Sequence, residues 1–132
     1  MTITGTTCDY EPMRKNRYIF EFPKEIEIPM YCVQKVSNLT FNIDQGWDDL
    51  VVSIIPIPKE NILKKLVDYI NNLENRRAVT FQLKNLDPTG VELQTFSITG
   101  LPCAIDFDDL DYASDKLSKI KLYIKVYQVI VL

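Results

Sequence analysis

Phe96-Ser-Ile-Thr-Gly-Leu-Pro-Cys-Ala-Ile-Asp-Phe-Asp-Asp-Leu-Asp-Tyr-Ala-Ser-Asp115, with the run Lys119-Ile-Lys-Leu-Tyr-Ile-Lys-Val-Tyr127 that follows, decides how this chain folds. Two strand-like runs flank an aspartate-rich turn. In the second run Ile120, Leu122, Ile124 and Val126 alternate with Lys119, Lys121, Tyr123, Lys125 and Tyr127. Period two marks a strand with one buried face. A mixed lysine and tyrosine face suits solvent or a protein contact, with tyrosine in the contact and lysine at its rim. After Gln128 the pattern ends in Val129-Ile-Val-Leu132, apolar on both faces. An exposed apolar strand invites pairing, so this end is expected to be covered within the chain or by a neighbour.

The turn holds Asp106, Asp108, Asp109, Asp111 and Asp115. Several carboxylates together are what a hard divalent cation needs. The spacing lacks the central glycine and closing glutamate of a calcium loop. Paired carboxylates could also serve acid–base chemistry, but no pocket signal accompanies them. The reading adopted is a solvated turn whose aspartates cap backbone N–H groups, or a surface for a basic partner.

Upstream, Tyr18–Phe22 reads as a strand with Tyr18, Phe20 and Phe22 on one face, and Pro23 ends it. Met30–Val36 reads as a second extended run. Leu39, Phe41 and Ile43 share a face of a third, and Asp44-Gln-Gly-Trp47 is a turn. Leu50–Ile55 is apolar and β-branched with weak alternation, which predicts burial on both faces by a second layer or a partner chain. Pro56 and Pro58 end this strand, and the one convincing helix follows at about residues 59–74, with Ile62, Leu63, Leu66, Val67, Ile70 and Leu73 as its apolar stripe. Ala78–Asn85 and Val91–Thr99 flank the turn Asp87-Pro-Thr-Gly90 and form a hairpin. The apolar face of the second strand changes phase between Leu93 and Phe96, which predicts a bulge near Gln94. A short strand to Phe107 is expected after Gly100 and Pro102. The sum is a mainly β chain: an antiparallel barrel or sandwich of seven or eight strands with one flanking helix. Residues 1–13 read as a flexible arm and 14–132 as one domain.

The chain has 132 residues, a net charge of −3 and no histidine. An acidic balance excludes a protein that grips nucleic-acid phosphates. Without histidine there are no Ser–His or Cys–His pairs and no His-ligated metal, and the commonest general base is missing; no enzyme activity, metal or cofactor is expected. Three cysteines, Cys8, Cys32 and Cys103, do not form a disulfide framework and are expected to be small buried hydrophobes in a protein made in a cytoplasm. No apolar run approaches a membrane span, and no signal peptide opens the chain.

Two blocks resemble a known family. Arg14-Lys-Asn-Arg-Tyr-Ile-Phe-Glu-Phe22 is followed by Val33-Gln-Lys-Val-Ser37. Later, Phe96–Tyr112 is followed by Ile120-Lys-Leu-Tyr-Ile124. In order and spacing these resemble the tail tube protein of contractile-tailed bacteriophages, from about residue 14 to 128, a family related to type VI secretion tube proteins. The resemblance implies a β-barrel domain that forms hexameric rings. These stack into the inner tail tube of a virion, through which DNA passes without specific binding. It implies sheath, baseplate and tail-terminator proteins as partners. Trp47, Leu50, Val52, Ile54, Val129, Ile130 and Val131 are the candidate inter-subunit contacts, and Asp106, Asp108, Asp109 and Asp111 the candidate sheath contacts. Two alternatives stay within the tube class: a baseplate-proximal tube initiator, and a type VI secretion-like injection tube. A third is of another kind, a monomeric β-barrel ligand-binding module.

Overall fold

The computed structural model describes residues 17–107 and 118–132. The expected N-terminal arm, Cys8, and the turn residues Asp108, Asp109, Asp111 and Asp115 lie outside them. Eight strands run in chain order: β1 (Tyr18–Glu21), β2 (Val33–Ser37), β3 (Phe41–Asn42), β4 (Gly46–Trp47), β5 (Leu50–Ile54), β6 (Val79–Leu86), β7 (Glu92–Phe107) and β8 (Ile120–Val131). Helix α1 (Ile62–Asn71) lies between β5 and β6. Six strands form one antiparallel, nearly closed barrel sheet in the order β1-β6-β7-β8-β5-β2. β3 and β4 form a small separate ribbon. The barrel with one helix is the architecture expected from the sequence.

β8 alternates as its residues require. Ile120, Leu122, Ile124 and Val126 are buried, and Lys121 and Lys125 are exposed. β7 and β8 pair from Phe96↔Val131 to Phe107↔Ile120. β7 is one continuous strand of 16 residues, not two strands split by Gly100 and Pro102. The ladder runs past both with two bulges: opposite Thr99 and Gly100 the extra residue is Tyr127 of β8, and after Pro102 it is Cys103 of β7. β6 pairs with β7 only as far as Gly100. Pro102, which has no N–H, therefore lies where the β6 side of β7 needs no ladder.

Gly100 is required by close approach. A Cβ there would meet the Ile124 side chain at 2.6 Å and the Lys125 carbonyl oxygen at 2.8 Å. The β6–β7 turn is held by Asp87, whose Oδ1 accepts from the Thr89 N–H, the Thr89 hydroxyl and the Val91 N–H at 2.7–2.9 Å. That fixes the hairpin register. The expected bulge occurs beside Gln94: Asn85 pairs with Gln94 and Leu86 with Glu92, so Leu93 is the extra residue.

Inside the barrel, Phe20, Phe22 and Phe81 make three ring contacts with centroids 5.3–5.7 Å apart. Leu50, Val52, Ile54, Ile98, Leu122 and Ile124 complete the core with Ile62 and Leu66 of α1. Each such burial contributes about 1.5–3 kcal/mol. The helix is shorter than 59–74. One 3-10 turn, Pro58–Glu60, precedes it and another, Leu73–Asn75, follows it. Its buried residues are Ile62, Leu66 and Tyr69. Leu63, Val67 and Leu73, expected in the buried stripe, are exposed. The positions spaced i, i+4, i+7 are buried, Ile70 packs against the core part-buried, and the positions on the other flank turn to solvent.

The third run also differs. Only Phe41 and Asn42 pair, with Trp47 and Gly46, and Ile43 is 95% exposed at the ribbon's tip. Phe41 packs on Trp47 with rings 5.2 Å apart. Met30–Cys32 is a 3-10 turn and not extended. Cys32 is fully buried as expected, but Cys103 is exposed, because it is the extra residue at the bulge of β7. Among the described residues no helix is long and apolar enough to cross a membrane.

Gly100→Val should destabilise the fold by about 1–3 kcal/mol through overpacking at the β7–β8 approach. Urea unfolding followed by circular dichroism measures this. A midpoint equal to that of wild type would contradict the close approach.

Candidate assembly surfaces

The sequence leaves the cover of Leu50–Ile55 to a second layer or a partner chain, and within the single chain the core and two neighbouring strands supply it. Leu50, Val52 and Ile54 are 0% exposed within a single chain. β5 is hydrogen-bonded on both sides, to β8 over Leu50–Ile54 and to β2 over Val33–Ser37. The weak alternation of Leu50–Ile55 reflects this central position, where even Ser53 is buried.

The unpaired edges lie on the two strands the sheet is built around. β5 pairs with β8 only at Ile120–Ile124. From Lys125 to Val131 the same side of β8 has no ladder partner among the described residues. β4 lies against β8 without pairing to it. β6 pairs with β7 only at Glu92–Gly100, so Leu101–Phe107 has no ladder partner on that side among the described residues. The two free edges have the same length. They face opposite ways in the plane of the sheet and sit at opposite ends of the β7–β8 ribbon.

The remaining candidates fall around this geometry. Val129, Ile130 and Val131 belong to the free edge of β8, with Val129 packed toward the core and Ile130 and Val131 exposed. In-chain pairing with Phe96–Ile98 meets the backbone need of this apolar end on one side only. Trp47, on β4, packs against the core. Asp106 lies on the free edge of β7, exposed, and pairs in register with Lys121.

The face of the sheet turned away from the core is polar and largely uncharged beside β6. Thr80, Thr99 and Gln128 form one cross-strand row, and Gln82, Ser97 and Ile130 the next. Lys84 is neutralised by Glu21 at 2.6 Å and Glu92 at 3.4 Å. The Glu21 carboxylate first, and Glu92 with it, raise the Lys84 ammonium above its usual value. The Thr95 hydroxyl first, then Lys84, hold Glu92 below the usual carboxylate range.

On the opposite side of the molecule α1 shows Leu63, Val67 and Leu73 to solvent, and Met30 and Tyr31 are exposed as well. A hydrogen bond to the Glu60 carboxylate pushes the Tyr31 phenol up to about 12. The outer edges of β1 and β2 face each other without a ladder. The Tyr18 hydroxyl donates to the Gln34 carbonyl at 3.1 Å across this seam, and burial raises the Tyr18 phenol. The apolar end Val129–Leu132 signalled the β8 edge in the sequence; the β7 edge and the seam had no such signal, since both depend on where partner strands stop.

No family model matches the sequence, and no curated protein does. Solved structures match in fold. A chain of the sheath–tube complex of PVC, an extracellular contractile injection system, in its extended state has a TM-score of 0.74 at 17% identity, covering 100% of this chain and 99% of that one. A chain of the tube-terminating cap of the anti-feeding prophage has a TM-score of 0.71 at 15% identity, covering 92% and 91%. A chain of its baseplate has a TM-score of 0.65 at 17% identity, covering 92% and 96%. At such identities the likeness is one of fold.

Ile54→Asp should prevent the single chain from folding, at a cost of about 4 kcal/mol or more for an unpaired buried carboxylate. Ile130→Asp should change monomer stability by only about 0.5–1 kcal/mol. Thermal melts of both variants at low concentration separate a core strand from an edge. A well-folded Ile54→Asp monomer would refute the core assignment of β5.

Proposed function

We propose that this protein is the structural subunit of a tube in a contractile tail or injection apparatus, assembling as stacked hexameric rings around a central channel. The observation that carries the reading is the pair of free edges, Leu101–Phe107 of β7 and Lys125–Val131 of β8. β7 and β8 are antiparallel, so the β8 edge of one copy can take the β7 edge of the next in the same antiparallel sense, without inverting the copy. Such a head-to-tail contact closes into a ring when the rotation allows. Because the edges sit at opposite ends of the ribbon, each copy is displaced along the strands relative to the last. That stagger is what a closed, tilted barrel needs, and closure removes the exposed edges.

The fold likeness to chains from the sheath–tube, cap and baseplate assemblies of contractile injection systems supports the same reading. In a ring closed through β7 and β8 the bulk of each subunit lies on the core side of the shared sheet. Bulk fits outside a ring and not within it, so the opposite face lines the channel. Thr80, Gln82, Ser97, Thr99 and Gln128 would then form much of the wall. The same face carries Lys84, paired with Glu21 and Glu92, Lys121 in register with Asp106, and Lys125, so the wall holds few unbalanced cations with which to neutralise the phosphates of passing DNA. Asp106 faces the channel in this arrangement. The sheath side becomes the helical surface of Leu63, Val67 and Leu73, with Trp47 and the β3–β4 ribbon available to the next ring. The protein acts by geometry and carries out no chemistry. It is built in the host cell and works in the assembled virion or injection particle.

The fold likeness to extracellular injection systems favours an injection tube over a phage tail as the particle. The identity of neighbouring genes discriminates them: capsid and packaging genes accompany a phage, secretion or toxin genes an injection device.

At high concentration the wild-type protein should give rings or hollow tubes by negative-stain microscopy; a clean monomer would favour the ligand-binding alternative and refute this one. In a Cys8→Ser background, a cysteine at Tyr127, Gln128 or Ile130 should form an inter-chain disulfide with the native Cys103 of the adjacent copy, giving a ladder of covalent oligomers that stops at six. Tubes that form without any such ladder would refute the β7–β8 contact while leaving the tube itself standing.

A further inference from the structure

Two strand edges of equal length can slide past one another, and a slip of one residue turns every side chain to the wrong face. The faces narrow the choice for β7 and β8. On the free edge of β7, Ile105 and Phe107 lie on the core side, because they pair with the buried Leu122 and Ile120. On the free edge of β8, Val126 and Val129 lie on the core side. The first two are two residues apart and the second two are three apart. The bulge at Tyr127 removes the difference. With Tyr127 as the extra residue, Phe107 of one copy falls opposite Val126 of the next, and Ile105 opposite Val129. A register shifted to put Phe107 opposite Val129 would leave Lys125–Gln128 unpaired.

In the full register the end of β7 arrives where β5 of the next copy stops. Leu50, the first residue of β5, pairs with Ile124, two residues before Val126 and on the same side of β8. Before Leu50 the chain leaves the ladder: Trp47 packs against the core, and β4 lies against β8. Phe41 meets Trp47 with rings 5.2 Å apart and is still 53% exposed. Phe107 is 41% exposed in the single chain, although Ile120, its cross-strand partner, is buried. Two exposed aromatic surfaces thus come to one place on one side of the shared sheet.

We propose that Phe107 of one copy seats against Phe41 and Trp47 of the next, and that this aromatic clasp fixes the register between copies. The clasp presupposes the ring contact of β7 with β8 and supplies what a bare edge lacks. The ribbon acts as a stop, because β7 can advance along β8 only until Phe107 meets Trp47. Ring-to-ring contact then adds to the burial of both surfaces. Further along, Ala104 falls opposite Ile130, which brings Cys103 beside Ile130 of the next copy. The base of the ribbon serves the ring contact, and its tip at Ile43, exposed to solvent, stays free for the next ring.

Mixed cross-linking tests the clasp. Phe41→Cys and Phe107→Cys are made separately in a Cys8→Ser, Cys103→Ser background, which leaves one accessible cysteine per chain beside the buried Cys32. Tubes co-assembled from the two proteins and oxidised should give disulfide dimers holding one chain of each kind, while tubes of either variant alone stay uncross-linked. Tubes that form without mixed dimers overturn the clasp and leave the tube standing; failure of the wild-type protein to form rings or tubes overturns both. As a second measurement, Phe41→Ser and Phe107→Ser should each raise the critical concentration for assembly about ten-fold. The double variant should raise it no further than either single change, because both remove the same contact. Each variant should still melt cooperatively as a dilute monomer. An unchanged critical concentration, or fully additive effects of the two changes, overturns the proposal.

Discussion

The structure depends on the antiparallel ladder between β7 and β8. These are the two longest strands, and every other strand of the barrel attaches to one of them directly or through a neighbour. The ladder can form because Gly100 permits an approach that any side chain would block. The ladder carries one bulge on each strand, at Tyr127 of β8 and at Cys103 of β7. Bulges bend a strand and increase its twist, and curvature of this kind turns a flat ribbon into a barrel wall. The core follows from the ladder, since Ile98, Ile120, Leu122 and Ile124 all project from it to the same side.

The length of these two strands also creates the surface that matters for assembly. β5 and β6 are too short to cover β8 and β7 along their whole length. The uncovered edges are therefore a consequence of the fold and not separate features added to it. Their equal length and opposite facing distinguish them from ordinary frayed edges. The seam between β1 and β2 is unfinished in a different way. It opens onto the chain's own core, and it lies where the N-terminal residues enter the first strand.

Periodicity made much of this legible before any coordinates. The alternation of Ile120–Val126, the Asp87–Gly90 hairpin and the phase change near Gln94 each reflect local rules, because a side chain's face in a strand depends only on its neighbours. The same rules left the cover of β5 open. An apolar run buried on both faces looks identical whether its cover comes from the same chain or another, and here β2, β8 and the core supply all of it. The helix stripe was too wide for a similar reason: residue type does not say which flank of an amphipathic face meets the core. Cys103 is exposed because a bulge, not its chemistry, sets its position.

The sequence by itself determined the class of fold, the identity of the core face on β8, the turns, and the resemblance that suggested a tube. These rest on period-two patterning and turn chemistry, which act over a few residues. Only the tertiary structure decided which strands are central, where each ladder stops, and hence which edges remain open. The extent of a ladder depends on residues far apart in sequence, through the length of each partner and the register that long-range packing selects. The residues a neighbour would touch are therefore those left over once the chain has satisfied itself.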